Sequence, residues 1–230
     1  MLVSEALTAG LDVWEVFAEP GAAPQVVAAA RDAGVVVHVV LPDVLAKAVD
    51  TTTPQPVAAV AARPEVDLSV ALAAAQAGPL VLVLVDVTDP GNAGTLLRAA
   101  EASGAAAVLF CGASVDPCNP KCVRASAGAL FHLPMSFGGD AVAVLEGLGE
   151  VGVQRAATVV RDGTPYHQLD LTGPVALVLG SEAHGLPVAL DPLVDLRCTI
   201  PMAGRSESLN VAMAGSVLCF EALRQREARL

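Results

Sequence analysis

No stretch of this 230-residue sequence is long enough to cross a bilayer, although 54% of its residues are hydrophobic. The most apolar stretch, Ala71 to Val85, is interrupted by Gln76, Gly78 and Pro79 and is too short to span a membrane. The opening MLVSEALTAG has neither a basic n-region nor a cleavage site, so no secretory signal is visible. Together these absences predict a soluble cytoplasmic protein without a membrane partner. Paired cysteines are also lacking. Cys111, Cys118, Cys122, Cys198 and Cys219 are odd in number, and no second pair or nearby histidine completes Cys118 and Cys122 as a metal half-site. They are expected to be small reduced residues, and no metal is expected. Positive charge is scarce as well: 13 Lys and Arg stand against 24 Asp and Glu, for a net −11. Affinity for phosphate comes from Lys and Arg, so any anion site must be local. Finally, no GxGxxG follows the apolar run at 79–85, which leaves a Rossmann-type nicotinamide enzyme a poor fit.

What is present divides into two parts, 1–73 and 74–230. The first reads helix, strand, helix, strand, helix through LVSEALTAG, DVWEVFA, APQVVAAARDAG, VVVHVV and PDVLAKAV. It is acidic, with Arg31, Lys47 and Arg63 as its cations. From Thr51 to about Leu72, Pro54, Pro56 and Pro64 predict an irregular connection. The second part carries largely apolar runs at 79–85, 105–111, 156–160 and 174–180 without period-2 alternation, as expected of strands buried on both faces of a parallel sheet. A short strand precedes the turn near residue 200. A long amphipathic helix is expected from about Leu209 to Glu227, with Leu209, Met213, Val217, Phe220 and Leu223 recurring at spacings of three and four. No internal repeat or low-complexity tail is present.

The polar punctuation falls after these strands, where open α/β sheets bind ligands. Three stretches stand out: DPGNAGTLLRAAEASG at 89–104, LVLGSEAHGLP at 177–187 and IPMAGRSESLNVAMAG at 200–215. Singly, each has a structural explanation. Asn92 suits a turn or an N-cap, Glu182 a helix N-terminus, Ser208 the N-cap of the last helix, and Gly180 and Gly185 a tight turn.

Taken in order, the three stretches resemble the sequence motifs of the SpoU-type RNA 2′-O-ribose methyltransferases, of the SPOUT superfamily. NPKCVRASAGALFHLP at 119–134 also looks like that family's segment between its first two motifs. The resemblance spans about residues 80–225. It implies an α/β fold in which helices flank a parallel sheet and the C-terminal chain forms a deep trefoil knot. Sequence rules would not propose a knot.

The resemblance further implies S-adenosylmethionine as methyl donor. Leu179, Gly180, Glu182, Gly185, Ile200, Met202, Ser208 and Leu209 would hold it, with Thr158 as a further candidate. Glycines admit close backbone approach, and Ile, Met and Leu supply apolar walls. By the same resemblance, Asn92, Arg98, Glu182, Ser208 and Asn210 match the catalytic positions. A guanidinium is a poor base, so the role expected of Arg98 is an anchor for the target phosphate that also stabilises the developing alkoxide. Lys121, Arg124 and Arg205 are the further candidate RNA contacts. His132 is expected to be packed, and His184 receives no role.

Structured RNA is the implied partner, ribosomal RNA before transfer RNA. The family also implies a homodimer to which the last helix contributes, although the stripe equally fits a helix packed on its own sheet. Residues 1–50 look like the small ribosomal-protein-like domain by which many members recognise RNA. They start in its middle, so a partial, N-terminally truncated recognition domain is expected. The competing reading is a knotted RNA-binding or dimeric protein without activity. The presence of Asn92, Arg98, Glu182, Ser208 and Asn210 together argues against it.

Overall fold

A computed structural model of the chain describes residues 2–49 and 53–229. The chain divides after Pro64 into two compact units. In the smaller unit, helix α1 (Leu2–Thr8) leads into strand β1 (Val13–Ala18). Helix α2 (Pro24–Asp32), strand β2 (Val36–Val39), helix α3 (Val44–Ala48) and strand β3 (Val57–Ala61) follow. The sheet order is β2-β1-β3, with β1 parallel to β2 and antiparallel to β3. Strand β3 lies within the stretch expected to be irregular. Its VAAVA sequence carries no proline, and pairing with β1 supplies the backbone partners that a loop would leave to water. Val16 and Ala18 of β1, Val26 and Ala30 of α2 and Val57 of β3 form the buried side of this unit.

The larger unit runs through α4 (Leu68–Ala77), β4 (Leu80–Val85), α5 (Pro90–Ala102), β5 (Ala107–Cys111), α6 (Pro120–Ala125) and β6 (Met135–Gly139). It continues through α7 (Ala141–Glu150), β7 (Gln154–Thr158), β8 (Thr164–Pro165), β9 (Val175–Leu179), β10 (Leu196–Thr199) and α8 (Val211–Glu227). The sequence boundary at 73/74 therefore moves. Glu65 bridges to Met135, the Val66 N–H donates to the Met135 carbonyl, and Val66, Leu68 and Leu72 pack on the larger unit's core.

Seven strands form a parallel sheet in the order β6-β5-β4-β9-β7-β10-β8. The four apolar runs correspond to β4, β5, β7 and β9, and every residue of β4, β5 and β9 is buried. Two hydrophobic clusters lie on opposite faces, because alternate residues of a strand point opposite ways. Leu80, Leu82 and Leu84 join Leu96, Leu97, Leu218 and Cys219 on one face. Val81, Val83 and Val85 join Val144, Leu145 and Leu148 on the other. Strand β9 is central, between β4 and β7, although it comes after both in sequence.

Helix α8 reverses one of the two readings of its stripe. Val211, Ala212, Gly215, Leu218, Cys219 and Ala222 are buried, whereas Met213 is 63%, Val217 39% and Phe220 48% exposed. The small residues face inward because the helix lies close on its neighbours. A Cβ at Gly215 would sit 2.3 Å from Leu96 Cδ2 and 2.9 Å from Leu179 Cδ1. Met213, Val217 and Phe220 are left outside. His132, expected to be packed, is exposed.

Candidate functional site

Strand β9 ends at Leu179, and the chain turns at once. The Gly185 N–H donates to the Ser181 carbonyl at 2.9 Å, and the two residues pair across the turn. Gly180 is required there by space: a Cβ would lie 2.4 Å from the Gly185 carbonyl carbon and 2.6 Å from both its oxygen and the Leu186 nitrogen. Gly185 has φ +67°, a conformation that costs an L-residue with a side chain. Two glycines thus fold this turn onto itself and leave a hollow beside it.

That hollow is a cavity of about 570 Å³. Thr158 at the end of β7, Leu179, Gly180, Glu182 and Gly185 of the turn, and Ile200, Met202, Ser208 and Leu209 after β10 all line it. These are the nine residues expected to hold the donor. Thr158 is held by its hydroxyl, which donates to the Val178 carbonyl at 3.1 Å. Arg161, His184, Cys198 and Glu207 also line the cavity and were missed. Arg161 lies outside every motif, so only its position after β7, next to Thr158, could have drawn notice.

At the edge of the cavity three polar side chains from distant parts of the chain are joined. Asn92 Nδ2 donates to Glu182 Oε1 at 2.5 Å, and Asn210 Nδ2 donates to Asn92 Oδ1 at 3.0 Å. Asn210 Oδ1 accepts from the Ala212 and Met213 N–H groups, which makes Asn210, not Ser208, the N-cap of α8. Asn92 is likewise not a cap. It lies in the first turn of α5, and its N–H donates to Asp89 Oδ1 at 2.8 Å. Glu182 caps no helix either, because the chain after it is turn. Each amide therefore has both ends committed, which fixes its orientation.

The Asn92 N–H holds the Asp89 carboxyl below the usual carboxylate range, aided by Lys121, whose Nζ lies 3.4 Å from Asp89 Oδ2. Lys121 is thus partly engaged by Asp89. Arg124 and Arg205 are exposed. Arg98 is exposed on α5, does not line the cavity and is not bonded to the Asn92–Glu182–Asn210 chain. Of the five expected catalytic residues, three are joined directly, Ser208 lines the same cavity as Glu182, and Arg98 is bonded to none of them.

The cysteines separate by environment. All five are free, and burial pushes the thiols of Cys111, Cys122 and Cys219 up to about 12, which makes them poor nucleophiles. Cys118 is only partly buried. Its Sγ lies 3.7 Å from Glu65 Oε1, in a group with Asp116 whose ligand atoms are within 4.8 Å of one another. Among the described residues, no helix is long and apolar enough to cross a membrane.

Both parts of the chain match known protein families. Residues 79–220 match the model of the SpoU rRNA Methylase family, and residues 1–66 match a model described as RNA 2′-O ribose methyltransferase substrate binding. A 23S rRNA guanosine 2′-O-methyltransferase, RlmP, of Bacillus subtilis is 33% identical over 189 residues, covering 82% of this chain and 73% of that protein. Other curated relatives are longer, and the chain spans 38 to 61% of them. Among solved structures, an AdoMet-bound rRNA methyltransferase of Sinorhizobium meliloti has a TM-score of 0.84 at 31% identity, covering 97% of this chain and 84% of that one. The SpoU methyltransferase AviRb of Streptomyces viridochromogenes in complex with AdoMet has a TM-score of 0.83 at 30% identity, covering 98% and 88%.

Proposed function

The chain belongs to the SpoU rRNA Methylase family, and from that premise we propose that it transfers a methyl group from S-adenosylmethionine to a ribose 2′-hydroxyl of 23S ribosomal RNA. The observation that carries the reading is the bonded chain Glu182–Asn92–Asn210 at the edge of the cavity. Residues from three separate motifs, 90 and 118 positions apart, converge there.

The cavity suits the donor. Its volume lies in the range of small-molecule sites, and Leu179, Ile200, Met202 and Leu209 give apolar walls beside the backbone exposed at Gly180 and Gly185. When bound, the donor supplies a methyl group already activated as a sulfonium. The protein's part is then to align the acceptor hydroxyl and to receive its proton. The Glu182 carboxylate, fixed through Oε1 by Asn92, lies at the cavity wall and offers an acceptor for that proton. Asn210 holds Asn92, and α8 holds Asn210. Ser208 stands at the same wall to orient the ribose. Arg98, exposed and outside the cavity lining, serves as a grip on phosphate that also stabilises the developing alkoxide. Arg124, Lys121 and Arg205 add phosphate contacts.

Three further parts of the reading are inferred. A C-terminal trefoil knot is supported by the late insertion of β9 between β4 and β7 and by the two C-terminal loops sharing one cavity. A homodimer is supported by Met213, Val217 and Phe220, an outward apolar stripe on α8 with no cover in the single chain. The smaller unit serves RNA recognition, in keeping with the family description that its residues match. A cytoplasmic location is in keeping with ribosomal RNA as substrate.

The test is incubation of the protein with methyl-labelled donor and 23S rRNA or tRNA transcripts, followed by alkaline hydrolysis, which a 2′-O-methyl group blocks. Label retained in alkali-resistant dinucleotides of 23S rRNA is expected. Retention in tRNA alone would replace the substrate. Donor binding with no transfer to either RNA would favour an inactive binding protein.

A further inference from the structure

The cavity has a neighbour. A second cleft of about 350 Å³ shares a wall with it, Arg161 and Glu207 included, and continues to Arg205 and Ser206. Two arginines therefore line one small cleft. They do so in a chain of formal charge −11, where cations find carboxylates readily. Arg155 pairs with Asp195, Arg197 with Asp191, Arg224 with Glu221 and Arg229 with Asp170. Arg161 and Arg205 make no hydrogen bond or ion pair among the described residues, even with Glu207 in the same cleft.

The backbone that carries Arg161 is held firmly. The Val159 N–H donates to the Cys198 carbonyl at 2.8 Å, and the Thr199 hydroxyl donates to the Val160 carbonyl at 3.1 Å. Asp162 follows with φ +60°, and Gly163 passes so close to β10 that a Cβ would lie 3.0 Å from both Cys198 C and Thr199 N. A left-handed non-glycine residue next to an obligatory glycine is a conformation that the surroundings must enforce. Arg161 is thus presented from a fixed turn at the partition between the two hollows.

We propose that Arg161 and Arg205 clamp a phosphodiester of the RNA acceptor in this second cleft, beside the donor cavity. The proposal rests on the methyl-transfer reading and adds a place where the acceptor strand is held. Two forks of N–H donors match the paired oxygens of a phosphodiester and offset its charge. The donor's own carboxylate is the other nearby oxyanion. It fits less well, because Arg205 does not line the donor cavity and a group gripped by both arginines lies outside it.

The test uses the full chain with Arg161→Gln, Arg205→Gln and Arg161→Lys. Steady-state methylation of a 23S rRNA transcript is measured between about 50 and 200 mM salt, with calorimetric titration of S-adenosylmethionine. Each glutamine variant is expected to raise KM for RNA about tenfold with kcat within about twofold, and to lower the log–log salt slope by about one. Donor affinity stays unchanged in Arg205→Gln, whose residue lies outside the donor cavity, and the lysine variant regains the slope but only part of the KM. Unchanged KM and slope in a protein that methylates would overturn the clamp alone. Weakened donor binding with unchanged KM for RNA would also overturn it and assign the cleft to the donor carboxylate. A wild-type protein that binds donor yet methylates no RNA would remove the underlying reading and the clamp together.

Discussion

Gly180→Ala adds one carbon at the tightest point of the donor turn. That carbon would lie 2.4 Å from the Gly185 carbonyl carbon and 2.6 Å from its oxygen and from the Leu186 nitrogen. Ordinary contacts between such atoms are about 3.5–4.0 Å, so the two strands of the turn must part by about 1 Å. Every one of those atoms is backbone, and no side chain can swing away. Strand β9 itself cannot yield, since it is buried and paired with β4 on one side and β7 on the other. The displacement therefore falls on residues 181–186, of which 181–185 line the donor cavity. Overpacking of this kind costs about 1–3 kcal/mol. If it is relieved by shifting the turn, the same amount appears as lost donor affinity, roughly 5- to 150-fold. If it is borne by the fold, the melting temperature drops by about 2–4 °C per kcal/mol for a chain of this length. Calorimetric titration with S-adenosylmethionine and a melting scan divide the two. Gly173→Ala is the control, since a Cβ there meets nothing within 4 Å. Affinity within twofold of wild type together with an unchanged melting temperature would refute the close approach. A lowered melting temperature with donor binding intact would refute the assignment of the turn to the donor.

Asn210→Asp separates two duties of one residue: the new carboxylate caps α8 as well as the amide did, but it cannot donate to Asn92 Oδ1. The melting temperature is expected to hold within about 2 °C while kcat falls at least about tenfold, and equal losses in both would refute a role beyond capping. Val217→Glu on the exposed stripe of α8 is expected to turn a dimer into a monomer in light scattering without loss of helical circular dichroism; a monomeric wild type would sink the dimer. The Asp195 carboxyl is held below the usual range by the bidentate Arg155 guanidinium, at 2.7 Å to each oxygen. A depressed carboxyl pKa gives stability that is present above the unfolded value near 3.9 and is lost as pH falls through the folded value. Because Asp195 is partly exposed, solvent screening limits the effect to about 1 kcal/mol or less. Asp195→Asn is therefore expected to lower denaturant stability slightly at pH 7 and to flatten its decline below about pH 4; an unaltered acid limb would refute the linkage.

What the sequence by itself determined is what short-range pattern encodes. Unbroken apolar runs meant burial on both faces of a sheet, and LVLVLV and VALVL are buried at every residue. The motif residues stood out because polar groups and glycines after buried strands are where ligands can reach the backbone. Strand β3 was hidden because VAAVA becomes a strand only through its pairing with β1, and β6 because MSFGG has no apolar run to betray it. Tertiary structure alone decided which face of α8 turns inward, since spacing reveals a stripe but not which residues are small enough to lie against Leu96 and Leu179. It alone joined Asn92 to Glu182 and Asn210, and it alone placed Arg161 beside Arg205. Those meetings depend on strand order, with β9 set between two earlier strands, and strand order is fixed by the packing of the whole sheet rather than by any local run of residues.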